Sequence, residues 1–252
     1  MLDEIFSIEN KIIVITGGGS GIGQKLSFEL AKCGSIVYSI DKQFKKIKKS
    51  SKINSKKCDI QNAIEFKKIC DNIIKKHKKI DVLINNAGVS FPSKKINYSL
   101  NDWNKTIQVN LSAAFQCSQI ILNYMKKYQS GSIINITSLN AELAFPKNPA
   151  YVASKGGLKM LTKALALDWG IYGIRVNNLG PGYIKTEMTK KSYSNKNLRL
   201  KRQSRTMLNR WGDVNDLIGP CIFLASDASK YVTGQDIYVD GGWTSSGLQL
   251  ET

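Results

Sequence analysis

The chain has 252 residues, 42% of them hydrophobic, a length and apolar fraction that suit one large α/β unit whose core needs neither disulfides nor metal. Lys and Arg number 37 against 19 Asp and Glu, a formal net charge of +18, which permits nucleic acid or an acidic membrane as partner. The lysines at 44–49, 67–79 and 126–127, however, alternate with apolar residues at helical spacing and not with exposed aromatics, so they read as a solvated surface and both partners are disfavoured.

At the N-terminus, MLDEIFSIENK is acidic and lacks the apolar core of a signal peptide, and no apolar run reaches membrane-span length, so a cytoplasmic protein is expected. Lys11 to Thr16 (KIIVIT) reads as a buried strand leading into TGGGSGIG at 16–23. Ile22, Leu26, Leu30 and Cys33 then recur at helical spacing, and Gly34 stops the helix. Ser35 to Ile40 is a second strand, closed by Asp41. A helix over Ala63 to His77 leads to a strand over Ile80 to Asn85. A helix from about Leu100 to Lys127 leads to a strand over Ser132 to Thr137, and a helix over Pro149 to Trp169 to one over Ile174 to Leu179. A helix from about Val214 to Ser226 and a strand over Asp236 to Val239 follow. This alternation predicts a doubly wound α/β fold, a parallel sheet with helices on both faces, as one domain across 1–252. The stretch from about 180 to 210 is irregular, polar and basic, and long loops of that kind are usually functional. The cysteines at 33, 58, 70, 117 and 221 show no CxxC spacing and lie in apolar or helical stretches, as buried or half-buried thiols in a reducing compartment do. His77, the single histidine, lies in KKHKK and is expected to face solvent, which leaves no Ser-His-Asp triad and no histidine zinc site; no metal is expected.

Two features carry chemistry. The glycines of 16–23 allow positive φ and close backbone approach, and the helix that follows offers free N–H groups to a pyrophosphate. Asp41, 18 residues beyond Gly23, is placed to accept from ribose hydroxyls and to repel a 2′-phosphate, and Ser20 puts no basic residue in the loop to meet that phosphate; NAD is therefore favoured over NADP, with Lys42 as the residue that keeps NADP possible. Tyr151 and Lys155, four apart on a predicted helix, share a face. An ammonium beside a phenol favours phenolate and is expected to lower the Tyr151 pKa.

The ordered set TGGGSGIG (16–23), Asp59 in CDI, NNAG (85–88), Asn110 in QVNLS, Ser138 in NITS, YVASK (151–155) and Pro181-Gly182 resembles the short-chain dehydrogenase/reductase family over essentially the whole chain. The resemblance implies a Rossmann-type oxidoreductase that interconverts a secondary alcohol and a ketone. It implies catalytic roles for Asn110, Ser138, Tyr151 and Lys155, with Ser138 holding the substrate oxygen and Asn110 a water linked to Lys155. It further implies that cofactor contacts come from Gly17, Ser20, Gly21, Ile22, Gly23, Asp41, Asp59, Ile60, Asn86, Ala87, Gly88, Tyr151, Lys155, Pro181, Gly182, Ile184 and Thr186. Asn85 and Asn86 would also stabilise the central sheet, and a homotetramer (or dimer) would pack through the helices around 100–127 and 150–169.

The stretches YVASKGGLKMLT (151–162), PGYIKTEMT (181–189), RWGDVNDLIGP (210–220) and VDGGW (239–243) are most similar to gluconate 5-dehydrogenases and related sugar-acid dehydrogenases. Between Lys190 and Arg205 seven residues are basic and none acidic. With a substrate-covering loop at about 183–210, this points to an anionic small molecule: a sugar acid, a phosphorylated sugar or a nucleotide-linked sugar. Ser138, Asn140, Glu142 and Tyr183, with Phe145 and Asn148, are candidates to line its pocket. The alternatives are a 3-oxoacyl carrier-protein reductase, which Asp41 and Ser20 argue against, and a non-catalytic nucleotide- or nucleic-acid-binding protein on the same fold.

Overall fold

Alternate residues of the first strand enter two different cores, and this organises the molecule. The computed structural model describes residues 2–44 and 50–246; most of the lysine stretch 44–49 therefore lies outside the described residues. A short helix α1 (Leu2–Ile5) precedes β1 (Ile12–Thr16), whose five residues are all buried. Ile12 and Val14 join a cluster with Phe66, Cys70, Ile121, Met125, Leu165 and Trp169. Ile13 and Ile15 join the other, with Leu26, Leu30, Leu217, Cys221 and Leu224. A strand with helices on both faces must be apolar on both, which is why KIIVIT is continuous rather than alternating.

The remaining strands are β2 (Ile36–Asp41), β3 (Ile53–Lys57), β4 (Val82–Asn85), β5 (Gly131–Ile136), β6 (Ile174–Pro181) and β7 (Asp236–Val239). They form one sheet in the order β3-β2-β1-β4-β5-β6-β7, all pairs parallel. The order reverses between β1 and β4, so the loops after their C-terminal ends part and leave a crevice there. Helix α2 (Gly21–Lys32) covers one face; α3 (Ala63–His77), α5 (Ala113–Tyr128) and α6 (Pro149–Trp169) cover the other. Local chemistry ends α3 where the sequence places its ends. The Asn62 side chain accepts from Glu65 N–H at the start, and Lys78 takes a left-handed conformation, φ 68°, at the finish.

Several elements depart from the sequence reading. β3, with the sequence INSKK, was not foreseen; it is an edge strand with three of its five residues exposed, so it carries no apolar signal. The helix expected from 100 to 127 is α4 (Leu100–Ile107), a π turn at Gln108–Ser112, and α5. The irregular stretch from 180 to 210 contains two short helices, α7 (Lys190–Ser194) and α8 (Lys196–Gln203). The helix after Val214 begins as a 3-10 turn capped by Asp213 and continues as α9 (Ile218–Ala225). Cys33 is exposed, at the C-terminal end of α2, whereas Cys58, Cys70, Cys117 and Cys221 are buried. His77 is half-buried, its Nε2 2.8 Å from the Tyr38 hydroxyl, and burial lowers its pKa; the apolar face of α3 draws it inward despite four lysine neighbours. Among the described residues no helix is long and apolar enough to cross a membrane.

A polar row crosses the buried sheet. Thr16, Asn85, Asn135, Asn178 and Asp236 are register partners from β1 through β7. Asn85 donates to Asn135 Oδ1 (2.8 Å) and Ser118 Oγ (2.9 Å), and Asn178 donates to Asp236 Oδ1 (2.7 Å). Buried amides paired in this way lock the register of strands whose apolar residues would tolerate slippage, although Asn85 Oδ1 itself finds no partner among the described residues.

Candidate active site

The glycine loop follows β1 and is held from β4. Asn86 donates from Nδ2 to the carbonyls of Thr16 and Gly17, both at 3.0 Å. A Cβ at Gly17, φ +67°, would lie 2.7 Å from Ala87 Cα, and one at Gly23 would overlap Asn86 Nδ2 and the Gly17 carbonyl. These two glycines serve close approach of loop, strand and helix. Gly21, φ +55°, differs: nothing lies within 4 Å of the position a Cβ would take. Ser20 is the N-cap of α2, yet its side chain makes no cap hydrogen bond. At the end of β2, Asp41 accepts from Gly19 N–H (2.9 Å) and Gln43 N–H (3.1 Å), which fixes its carboxylate beside the loop.

Beyond β5, Ser138 opens a 3-10 turn, and its hydroxyl both accepts from Asn140 N–H and donates to Asn140 Oδ1, each at 3.2 Å. Tyr151 and Lys155 stand one turn apart on α6, with Lys155 Nζ 5.7 Å from the Tyr151 ring centroid. Lys155 is 3% exposed and donates to the Ile136 carbonyl at 2.7 Å. Burial lowers its pKa to about 8. The Tyr151 pKa moves up, contrary to expectation: burial dominates, a hydrogen bond with Ser138 opposes it, and Tyr183 adds to it. Desolvation of the phenol outweighs the hydrogen bond that opposes it.

One cavity of about 380 Å³ gathers most of the expected residues. Gly17, Ser20, Gly21, Ile22, Asp41, Asp59, Ile60, Asn86, Ala87, Gly88, Ser138, Tyr151, Lys155, Pro181, Gly182, Ile184 and Thr186 line it. Gly23 does not, because it packs inward on Asn86. Nor does Asn110, which sits in the π turn behind the wall and exchanges hydrogen bonds with Val89: N–H to Oδ1 at 2.8 Å and Nδ2 to O at 3.0 Å. Its Nδ2 also lies 3.1 Å from Ser154 Oγ, so it ties that wall to α6. Sequence reasoning missed Val89, Val109, Thr137, Met188 and Thr189, which also line the cavity. Thr137 was visible as the neighbour of Ser138, whereas Met188 and Thr189 lie in a stretch with no period to read.

The expected substrate residues separate. Ser138 lines the cavity; Asn140 stands behind it as its hydrogen-bond partner. Glu142 is exposed and committed elsewhere, paired with Lys159 and accepting from the Tyr238 hydroxyl at 3.0 Å, which ties the Ser138 loop to α6 and β7. Asn148 donates to Ser90 Oγ at 2.8 Å. Tyr183 does not line the cavity but packs in an aromatic group with Phe145, Trp211 and Trp243, ring centroids 5.1 to 6.0 Å apart. Arginines of the 190–205 segment lie over these rings, Arg202 at 4.2 Å from the Tyr183 centroid and Arg205 at 6.0 Å from that of Trp243. Among the described residues Arg199, Arg202 and Arg205 form no ion pair.

A family model described as enoyl-(acyl carrier protein) reductase matches residues 17–244. The chain belongs to the short-chain dehydrogenase/reductase family. It is thereby an NAD(P)-dependent oxidoreductase acting on CH–OH groups. An uncharacterised oxidoreductase of Escherichia coli K12, YgcW, is 37% identical over 95% of each chain. The 5-keto-D-gluconate 5-reductase of the same strain is 34% identical over 96% of this chain and 98% of its own. A crystal structure of a gluconate 5-dehydrogenase from Burkholderia cenocepacia, in complex with NADP and tartrate, superposes with a TM-score of 0.90 at 32% identity, covering 98% of this chain and all of that one.

The residues present fit the dinucleotide this family uses. Gly21 leaves open space where any side chain would intrude, the first turn of α2 lacks a side-chain cap, and Asp41 stands at the end of the neighbouring strand, 2.9 Å from the glycine loop.

Proposed function

We propose that this member of the family is an NAD(H)-linked enzyme that interconverts a secondary alcohol and a ketone on a sugar acid or another anionic sugar derivative. The observation that carries the reading is the convergence of Ser138, Tyr151 and Lys155 on one end of a cavity whose other end holds Asp41. Asp41 favours NAD through ribose hydroxyls and disfavours a 2′-phosphate by charge. The relatives named for keto-gluconate and gluconate support the substrate class. The unpaired arginines stacked on Tyr183 and Trp243 suit a carboxylate or phosphate.

The dinucleotide supplies hydride exchange when bound. The chain's own residues handle the oxygen and its proton. Ser138 Oγ donates to the substrate oxygen and holds it beside Tyr151. Tyr151 takes the hydroxyl proton in oxidation and returns it in reduction. Because burial raises the Tyr151 pKa, the reaction relies on Lys155 to support the phenolate, and Lys155 is charged below its pKa of about 8. Asn110 acts behind the wall, holding Val89 and Ser154 and so the placement of α6. The chain acts as a single catalytic domain. It self-associates as a tetramer or dimer through apolar side chains exposed on α5 and α6, including Phe115, Met160 and Leu167.

The test is binding of NAD(H) and NADP(H) to the purified protein, followed by turnover of sugar acids, neutral polyols and nucleotide sugars, with Tyr151→Phe as control. NAD preference with turnover of an acidic sugar, lost in Tyr151→Phe, is the expected result. Binding of neither cofactor would leave the non-catalytic alternative.

A further inference from the structure

At the far end of the cavity from Tyr151, a lysine lies where a phosphate-binding cation would be useful, but it is occupied. Lys42 follows Asp41 directly, and its Nζ lies 2.7 Å from Asp59 Oδ2. Both residues line the cavity, as does Asp41. Asp59 stands two residues beyond β3, which pairs with β2 in register, Asp41 opposite Lys57. The ion pair therefore bridges the ends of two adjacent strands across the adenosine end of the crevice. Asp59 is held from its other side too, since its Oδ1 accepts from Gln61 N–H at 3.0 Å and from Gln61 Nε2 at 3.2 Å. Asp41 is separately fixed against Gly19 and Gln43, so it does not compete for the lysine.

We infer that the Lys42–Asp59 pair is a cofactor selector, in which Asp59 withholds Lys42 from the 2′-phosphate of NADP. The inference rests on the dinucleotide reading above. Asp41 alone disfavours a 2′-phosphate by charge, but an unbound lysine next to it would neutralise that effect. Asp59 removes the lysine from the contest. The side chains of Lys42 and Asp59 are 55% and 37% exposed, so water and salt screen the pair. Its effect on selectivity is accordingly bounded at about fivefold, the most that an exposed ion pair usually supplies. The enzyme is thus biased toward NAD without being closed to NADP.

The test is a double-mutant cycle on cofactor binding, read by calorimetric dissociation constants for NADH and NADPH in the wild type, Lys42→Ala, Asp59→Asn and the double variant. Asp59→Asn is expected to tighten NADPH about fivefold relative to NADH, with the gain shrinking as salt is raised. Lys42→Ala should leave NADPH binding near the wild-type value, and the double variant should lose the gain. Thermal melts report that each variant is folded. A gain that survives in the double variant would mean that Asp59 acts by repulsion alone, and the selector is overturned. Equal weakening of both cofactors by Asp59→Asn, or weakening of NADPH by Lys42→Ala in the wild type, overturns it as well. A wild-type preference for NADPH instead overturns the reading of Asp41, while the coupling between residues 42 and 59 still decides the selector.

Discussion

Along the sheet, much of the cavity wall hangs from the ends of buried strands: the glycine loop from β1, Asp41 from β2, Asn86 from β4 and Ser138 from β5. At the other end, from Tyr183 to Arg210, Ile184 and Thr186 to Thr189 join the wall, and α7 and α8 follow with no residue buried. They are joined to the body by guanidinium groups lying over aromatic rings and by Trp211, whose indole donates to the Arg199 carbonyl at 3.0 Å. The first end is positioned by the core and costs nothing further to organise. The second is held by contacts on the order of 1 kcal/mol each, so it opens more readily than the first. The first is the constant end of the wall, fixed by the core, and the second the variable end, fixed by surface contacts.

The largest expected effect tests the constant end. Tyr151→Phe should keep cofactor binding and lower kcat by about 10²–10⁴, the range for loss of a positioned acid–base; steady-state rates beside a binding titration check it, and retained turnover would remove Tyr151 from the mechanism. Lys155 gives the next effect. Its native pKa of about 8 lies below the ordinary lysine value of 10.5. Between those values the unfolded chain holds a proton that the native protein has lost, so stability should rise as pH goes from 8 to 10.5. Below pH 8 the buried charge is a standing cost. Lys155→Met should therefore abolish turnover yet raise stability at pH 7 by about 1–3 kcal/mol, the upper figure being the shift itself and the lower allowing for the lost hydrogen bond to Ile136. Urea unfolding at pH 7 and pH 10 measures both the gain and its disappearance.

Gly23→Ala probes the packing beneath the loop. A Cβ that overlaps Asn86 and the Gly17 carbonyl must push the loop outward. Stability should fall by about 1–3 kcal/mol, and cofactor affinity should fall with it, although Gly23 does not line the cavity. Arg202→Ala tests the variable end and should do least. KM for an acidic sugar should rise about tenfold, as for loss of one hydrogen bond to a charged group, with the cofactor dissociation constant and the KM for a neutral polyol unchanged. If the neutral substrate suffers equally, the arginine only holds its own segment in place.

The same contrast explains what was legible. The strand–glycine–helix unit, the ends of α3 and α6, and the spacing of Tyr151 and Lys155 are local patterns of period, cap and turn. The sequence by itself therefore determined the α/β alternation and the family. The resemblance of its ordered motifs, and not apolar periodicity, marked most residues at the strand ends. Tertiary structure alone decided that β3 pairs at the edge, that Glu142 is taken by Lys159 and Tyr238, that Tyr183 turns into an aromatic group, and that Lys42 is bound by Asp59. It also decided the direction of the Tyr151 pKa, since a helical spacing of four says that a lysine is near but not how much water burial has removed from both groups. Each of these depends on partners distant in sequence, and side chains that compete for a partner are settled only when the strands and helices that carry them have packed.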